Sequence, residues 1–170
     1  MRAICLLAMA ALLAACGSGN GGSKRFAIYD YEAASAAKKG DRHVVHCAGI
    51  LCPQGAGPRI VLHGAPILTE SDVAHARTGK DPLFPRRGAV LVDFTKHGRD
   101  ALRRATKAMA KRGRSLGYAQ HLLVAFEGHV VGRLPVDYLT QPNGFDAADG
   151  LELVPLAPKR ARAVSRALNG

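Results

Sequence analysis

The chain has 170 residues, and 48% of them are hydrophobic, so we expect one folded domain with a buried core. Its net charge of +11 and isoelectric point of about 10.0 indicate an anionic neighbour such as lipid headgroups, a cell-wall polymer or nucleic acid. The absence of Trp and an aromatic content of 5% argue against a surface that binds single-stranded nucleic acid by stacking.

The first sixteen residues are typical of a bacterial export signal. One Arg precedes an apolar run that is too short to span a membrane comfortably, and the segment ends in Leu13-Ala14-Ala15-Cys16. These four residues resemble the lipobox of bacterial lipoproteins, in which cleavage leaves a diacylated cysteine. The resemblance implies that Cys16 is a lipid anchor at the extracytoplasmic face of the cytoplasmic membrane, which excludes nucleic acid as a partner. An ordinary signal peptide cut nearby is the alternative.

Residues 17–25 are predicted to be a flexible tether and residues 26–170 the extracytoplasmic domain. The tether contains GSGNGGS, a composition typical of flexible Gly/Ser linkers. The domain opens with FAIYDYE (26–32), which is predicted to be a strand, and residues 34–41 are predicted to be a loop or a frayed helical turn.

Two cysteines remain after Cys5 leaves with the signal and Cys16 is acylated. They lie in HVVHCAGILC (43–52), so a zinc or copper site made of His43, His46 and both thiolates is one alternative, and free thiols are another. In an oxidising compartment the pattern favours a Cys47–Cys52 disulfide. We therefore expect no metal and no other cofactor.

The next segments are shorter and more polar. RIVLH (59–63) is predicted to be a strand. Thr69 and Asp72 have the spacing of a capping box, which predicts a brief helix reaching Arg77. Residues 79–87 are predicted to be a loop that leads into the central part of the chain.

The stretch from residue 88 to residue 135 is predicted to fold as strand, helix, strand, turn and strand. GAVLVDF (88–94) is typical of a buried strand, Thr95 of a helix N-cap and Gly113 of a helix end. The helix is expected to bury Ala101, Leu102, Ala105, Ala108 and Met109. AQHLLVAF (119–126) is predicted to be a central strand, Glu127-Gly128 a hairpin turn, and 129–134 a strand ended by Pro135.

The other face of this helix is strongly basic. Eight Lys or Arg residues and one acid, Asp100, lie between Lys96 and Arg114. The face predicted to bind an anionic surface consists of Arg99, Arg103, Arg104, Lys107 and Lys111. A solvated outer face is the alternative, but like charges at helical spacing repel each other when no anionic partner is present.

The C-terminal part is predicted to contain a turn-rich segment (136–149), a closing strand (151–154) and a short basic helix (159–168) that follows Pro158. No motif in the chain indicates catalysis. The seven His residues are scattered, and the chain has no His-x3-His helix pair, G-x-S-x-G elbow or phosphate-binding glycine loop. We therefore predict no catalytic residues and expect that the protein is not an enzyme.

Several segments in a fixed order carry a family resemblance. They are 65–73 (APILTESDV) with 76–77 (AR), 90–95 (VLVDFT) with Gly98 and Thr106, 121–135 (HLLVAFEGHVVGRLP), 143–144 (NG), 150–153 (GLEL) and 159–170 (KRARAVSRALNG). Together they resemble the first extracytoplasmic (periplasmic) domain, chiefly the head subdomain, of SecD, a subunit of the bacterial protein-export translocase. The resemblance does not extend to the transmembrane helices of SecD. It therefore implies a fold and a surface for extended polypeptide, without the proton-driven cycle.

The sequence as a whole predicts an α+β fold, a mostly antiparallel sheet with a basic amphipathic helix packed on one face. The leading hypothesis is a non-enzymatic, lipid-anchored envelope protein, accessory to protein export through binding of unfolded secreted chains or the translocon. The alternative is an electrostatic binding module for anionic lipid or cell-wall polymer.

Overall fold

A computed structural model of the chain describes residues 25–81, 86–146, 148 and 150–170. The predicted signal and all of the predicted tether except Arg25 lie outside this part of the chain. The helices are α1 (Tyr31–Ala36), α2 (Lys96–Leu116) and α3 (Pro158–Leu168). The strands are β1 (Phe26–Asp30), β2 (Arg42–His46), β3 (Arg59–His63), β4 (Leu68–Thr69), β5 (Val73–Lys80), β6 (Gly88–Phe94), β7 (Gln120–Phe126), β8 (His129–Val136) and β9 (Leu151–Leu156).

Within the described residues the strands form two sheets. The larger has the order β3-β2-β8-β7-β1-β4, and the smaller has the order β5-β6-β9. Neighbouring strands run antiparallel except β2 and β8, which run parallel and meet at His46 and His129. The predicted α+β fold with mostly antiparallel strands is confirmed. The division of the strands over two sheets is apparent only in the structure.

Both faces of the larger sheet are buried. On β7, Leu122 and Val124 belong to the core under α2, while Leu123 and Ala125 belong to a second cluster on the opposite face. Successive side chains of a strand point to opposite faces, so a strand covered on both sides needs an uninterrupted apolar run. This confirms the central position predicted from AQHLLVAF.

Helix α2 begins where expected but ends one turn later. The hydroxyl of Thr95 accepts a hydrogen bond from the Gly98 N–H, which confirms the predicted N-cap. The end predicted at Gly113 is wrong, because Gly117 adopts the left-handed conformation (φ 78°) that closes the helix. Gly113 instead allows the backbone at Tyr118 to pack closely against α2, because a Cβ at position 113 would lie 2.9 Å from the Tyr118 carbonyl oxygen.

The buried face of α2 is rotated from the predicted one. Leu102 and Met109 are buried as expected, but Ala101 and Ala105 are only half-buried and Ala108 is exposed. The buried residues of α2 are Gly98, Leu102, Thr106, Met109, Ala110 and Gly113. A pattern of apolar residues does not mark Gly and Thr as core positions, and this accounts for the difference.

The capping box is present, but it does not start an α-helix. The Thr69 hydroxyl accepts from the Asp72 N–H, and the Asp72 carboxylate accepts from the Thr69 N–H across a 3-10 turn at residues 70–72. The helix predicted to reach Arg77 is wrong, because the chain continues into β5. There Ala76 lies opposite Val92 of β6, so pairing with an apolar strand outweighs the local helix signal.

The hairpin at Glu127-Gly128 is confirmed. Both residues have positive φ (49° and 74°), as a two-residue type I′ turn requires. Pro135 does not end the second strand, however, because it lies opposite His121 and the ladder continues to Val136. The structure also confirms the strand predicted at 59–63 and the helix after Pro158. The closing strand predicted at 151–154 is confirmed and extends to Leu156.

The predicted strand 26–32 is shortened by a helix cap. Asp30 accepts from the Ala33 N–H and begins α1, which occupies part of the segment expected to be loop or frayed helix. The Glu32 carboxylate of this helix forms two hydrogen bonds with His121. It accepts one from the backbone N–H at 2.8 Å, and its Oε1 lies 2.7 Å from the ring Nδ1.

Burial alone would raise the pKa of Glu32, but these hydrogen bonds outweigh burial and lower it below its ordinary value of 4.5. A carboxyl with a lowered folded-state pKa stabilises the fold above its unfolded pKa and loses that contribution as the pH falls through the folded value. The contact between α1 and β7 is therefore expected to weaken as the pH falls through the folded-state pKa of Glu32.

Candidate anionic-surface interface

The structure brings together all five cations that the sequence assigned to an anionic surface. Each is exposed, and at 3.6 residues per turn they lie within an arc of roughly 140° on α2. We call them the basic face: Arg99, Arg103, Arg104, Lys107 and Lys111.

Part of this charge is compensated at the N-terminal end of α2. Asp100 accepts from Lys96 (2.8 Å) and from Arg103 (2.9 Å), and the hydrogen bond from Lys96 lowers the pKa of the Asp100 carboxyl. The Arg99 guanidinium donates to the carbonyl oxygen of Phe94. Within the described residues no acidic side chain pairs with Arg104, Lys107 or Lys111. The cations of the basic face that form no ion pair therefore lie along the middle and end of the helix.

Arg112 belongs to a different part of α2. Its guanidinium donates to Asp30 at 2.6 Å and to the side-chain oxygen of Gln120 at 2.6 Å. Gln120 is fully buried, so Arg112 links α2 to β1 and β7. A charge count along the sequence includes Arg112 with the basic run, whereas the structure shows that it is a packing residue.

Close backbone contacts hold the basic face in place. At the start of α2, a Cβ on Gly98 would lie 2.7 Å from the Asp72 carbonyl oxygen, and Asp72 also contacts the His97 ring at 2.8 Å. Near its middle, Thr106 donates to the Leu102 carbonyl and accepts from the Phe145 N–H, both at 2.8 Å. The loop after β8 is thereby docked on the helix.

This loop and α2 enclose an apolar groove. The cavity has a volume of about 250 Å³, and its apolar lining residues are Leu102, Leu134, Phe145 and Leu151. A smaller cavity of about 150 Å³ shares Asp146 with it and is lined by Arg99 and Arg103 of the basic face. The groove thus opens beside the start of the basic face.

Cys47 and Cys52 form a disulfide, with Cα atoms 5.1 Å apart. Both sulfurs are therefore unavailable to a metal, and His43 packs against Tyr29 with ring centroids 5.5 Å apart. In the described part of the chain, no three His, Cys, Asp or Glu side chains are grouped so that they could hold a metal ion. Leu51 and Cys52 pack against the cluster on the sheet face opposite α2.

Sequence reasoning missed three exposed apolar side chains, Leu116 and Tyr118 at the end of α2 and Leu139 in the segment after β8. The first two flank Gly117, and an apolar residue on each side of a helix-ending glycine was an available signal. Leu139 directly follows Tyr138, whose ring lies near Gly113 of α2.

Cys16 lies outside the described residues, so its assignment as lipid anchor stays a prediction. None of the helices in the described ranges is long and apolar enough to cross a membrane.

Two solved structures are similar to part of this chain. No protein-family model matches the chain, and no curated protein matches it. Two solved structures of SecDF match over 62% of this chain at 20% identity, with TM-scores of 0.48 and 0.47. In one, SecDF is in a super-membrane-facing form; the other is described as a membrane component SecDF that enhances protein export.

The chain spans only 12% of the first of these proteins and 41% of the second. A structural likeness of this extent does not by itself transmit a function.

Proposed function

We propose that this chain is a non-enzymatic binding protein of the bacterial cell envelope. A lipid on Cys16 anchors it at the extracytoplasmic face of the cytoplasmic membrane, and its basic face binds the anionic headgroups there. The observation that carries this proposal is that no acidic side chain of the described residues forms an ion pair with Arg104, Lys107 or Lys111.

The spacing of these cations destabilises the helix when no anionic partner is bound. Lys107 follows Arg103 by four residues and Arg104 by three, and Lys111 follows Lys107 by four. Like charges at these spacings destabilise a helix by a few tenths of a kcal/mol each. Near an anionic bilayer each Lys or Arg instead contributes about 1 kcal/mol of binding. A membrane surface therefore converts an unfavourable arrangement into a favourable one.

Replacing Arg103, Arg104, Lys107 and Lys111 with Gln is expected to weaken binding to anionic vesicles at least tenfold. Arg99 is retained because its guanidinium bonds to a backbone carbonyl. Folding should change little, since exposed substitutions usually fall within about 0.5 kcal/mol each. The measurement is co-sedimentation of residues 17–170 with phosphatidylglycerol-containing vesicles between 0.05 and 1 M salt, roughly the range over which the Debye length falls to about 3 Å.

A matched control removes the same charge elsewhere. Lys38, Lys39, Arg42 and Arg59 are exposed near β2 and β3, at the far edge of the larger sheet. Their Gln variant should bind vesicles nearly as well as the wild type. Equal binding by the wild type and the α2 variant, or binding that is indifferent to salt, would contradict the proposal. Salt-sensitive binding to isolated anionic wall polymer, without binding to vesicles, would indicate that the ligand of the basic face is that polymer and not lipid.

A second candidate function is a role accessory to protein export, through binding of unfolded secreted chains or the translocon. The observation that favours it is the apolar groove beside Leu102 and Phe145, with Arg99 and Arg103 at its side. A cavity of about 250 Å³ is large enough for an apolar side chain of an extended polypeptide, the kind of ligand that the sequence resemblance to SecD implies.

Photo-cross-linking in cells tests this second function. A photoreactive residue at Gln141, which lines the groove, is expected to capture nascent secreted chains or translocon subunits. The same probe at exposed Lys39 serves as the control. The Cys16→Ser variant, which cannot be acylated at that position, should lose the cross-links because it is no longer held at the membrane. Capture of neither class of protein from Gln141 would eliminate the export role.

A further inference from the structure

Strand β5 forms one edge of the smaller sheet. Within the described residues it pairs only with β6, so no strand lies along its other side. A register shift at Ala74 interrupts the ladder, and the regular part of the strand runs from His75 to Lys80. The open side of such a strand presents backbone N–H and C=O groups that are a template for another extended chain.

Two hydrogen bonds show which backbone groups of β5 point away from β6. The N–H of Asp81, which follows β5, donates to the carbonyl oxygen of Arg87, which precedes β6. Residues of an antiparallel strand alternate between bonding to the partner strand and facing away from it. The even-numbered residues therefore face away, and the bond from the Ala76 N–H to Asn169 agrees with this. We call the outward backbone groups of Thr78 and Lys80 the free edge.

At Ala76 a side chain takes the place of a neighbouring strand. Oδ1 of Asn169 accepts from the Ala76 N–H at 2.8 Å, and Nδ2 of Asn169 donates to the Ala76 carbonyl oxygen at 2.6 Å. A carboxamide offers an N–H donor and a C=O acceptor, as a peptide group does. Asn169 is exposed and follows the last residue of α3, so an incoming chain can displace its side chain without unfolding the helix.

The charge at the free edge determines which kind of chain fits it. Arg77 and Lys80 are exposed on β5, and Arg86 and Arg87 are exposed just before β6, whereas the acid nearest in sequence, Asp81, is buried. Pairing of β5 with β5 of a second copy would place like charges on adjoining strands, and charged edge strands prevent self-association in this way. An extended chain with acidic side chains would meet the opposite charge instead.

We propose that the free edge binds an extended, acidic segment of another polypeptide, which adds to the smaller sheet as a further strand. The backbone groups of Thr78 and Lys80 form the hydrogen bonds, and the cationic side chains beside them select acidic residues. Asn169 occupies the next position along the edge, so the added strand extends to Ala76 only when it displaces this side chain. This inference concerns a different surface from the basic face and does not depend on binding of anionic lipid.

Amide hydrogen exchange measured by NMR tests where the strand is added. The probe is a ten-residue peptide of alternating Thr and Glu, used at saturation with residues 17–170. It should slow exchange of the Thr78 and Lys80 N–H groups at least tenfold, whereas the N–H groups of Arg77 and Gly79, which face β6, should change little. Protection elsewhere in the domain, without protection of Thr78 and Lys80, would overturn the inference.

Two control peptides separate backbone pairing from charge. The Thr-Glu peptide with every backbone nitrogen methylated keeps its charge but has no N–H donors, so it should not protect Thr78. A peptide of alternating Thr and Lys keeps the donors but has the wrong charge, and it should bind at least tenfold more weakly. Equal protection by the methylated peptide would rule out strand addition, and equal affinity for the Thr-Lys peptide would rule out an acidic partner.

A pair of substitutions at one position tests the same contact from the side of the protein. Thr78→Pro removes the N–H on the free edge and leaves the bonds to β6, and edge strands tolerate Pro at such positions. Thr78→Ala removes the hydroxyl but retains the N–H. The Thr-Glu peptide should bind Thr78→Pro at least tenfold more weakly than Thr78→Ala, because a hydrogen bond is lost and the ring obstructs the added strand. Equal affinities would contradict the proposal.

Asn169→Ala tests whether the carboxamide competes with the added strand. Without it the Thr-Glu peptide can also pair with Ala76, so its affinity should rise about tenfold and the Ala76 N–H should become protected on binding. An affinity equal to that of the wild type would overturn the role assigned to Asn169.

The outcomes also separate this inference from the proposed function. Thr78→Pro should bind phosphatidylglycerol vesicles as the wild type does, because Thr78 lies outside the basic face. Vesicle binding without peptide protection of Thr78 would overturn only this inference, and protection without vesicle binding would overturn only the proposed function. Dimerisation without peptide that Thr78→Pro abolishes and Thr78→Ala retains would assign the free edge to a second copy of the chain.

Discussion

The Leu102→Ala variant is expected to lose about 2–5 kcal/mol of unfolding free energy. Leu102 has no exposed surface and belongs to the main core, where α2 packs against β7 and β8. Truncation would remove its transfer free energy and leave a cavity that the surrounding strands cannot fill by moving. Urea unfolding monitored by circular dichroism provides the measurement.

Ala108→Gly provides the control for this prediction. Ala108 is exposed, so its replacement should cost only about 1 kcal/mol of helix propensity. The comparison also tests the orientation of α2, because the apolar pattern of the sequence assigned both residues to the core. A loss below 1 kcal/mol for Leu102→Ala, or a larger loss for Ala108→Gly, would show that α2 is rotated from the position described.

The Gly144→Ala variant should also lose about 2–5 kcal/mol of unfolding free energy, for two separate reasons. Gly144 has a φ of 80°, a conformation that costs a residue with a Cβ about 1–2 kcal/mol. A Cβ there would also lie 2.5 Å from the Lys107 backbone nitrogen and from the Thr106 hydroxyl, and such overpacking costs about 1–3 kcal/mol. The same urea titration measures the loss.

Gly55→Ala isolates the first of these reasons. Gly55 has a similar φ of 77° but no atom within 4 Å of the position of a Cβ. It should therefore lose only the conformational part. If the two variants were equally stable, the loop after β8 would not be docked on α2, and the apolar groove would lose one wall.

The segment from Thr69 to Lys80 shows where local sequence is informative and where it is not. The capping box of Thr69 and Asp72 was read correctly because its hydrogen bonds span only three residues. The helix expected after it was wrong, because the fate of residues 73–80 depends on pairing with β6, a strand that follows later in the chain. Pairing of this kind has no local signature.

The basic face was the best-predicted part of the candidate site. Its five cations repeat at helical spacing, so any α-helix would bring them to one side, and the structure does so. The same spacing did not separate Arg112 from them, because the partners of Arg112 lie on β1 and β7. Nor did it reveal that the segment after β8 reaches α2 through the packing of Tyr138 against Gly113.

The sequence by itself determined the elements whose signals are local. These are the order of most strands and helices, the Thr95 cap, the Glu127-Gly128 turn, the Cys47–Cys52 pairing and the cationic face of α2. Only the tertiary structure decided how the strands divide over two sheets and which side of α2 is buried. Small residues such as Gly98, Thr106 and Gly113 determine that side, and they do so by admitting another backbone or a hydrogen bond rather than by being apolar.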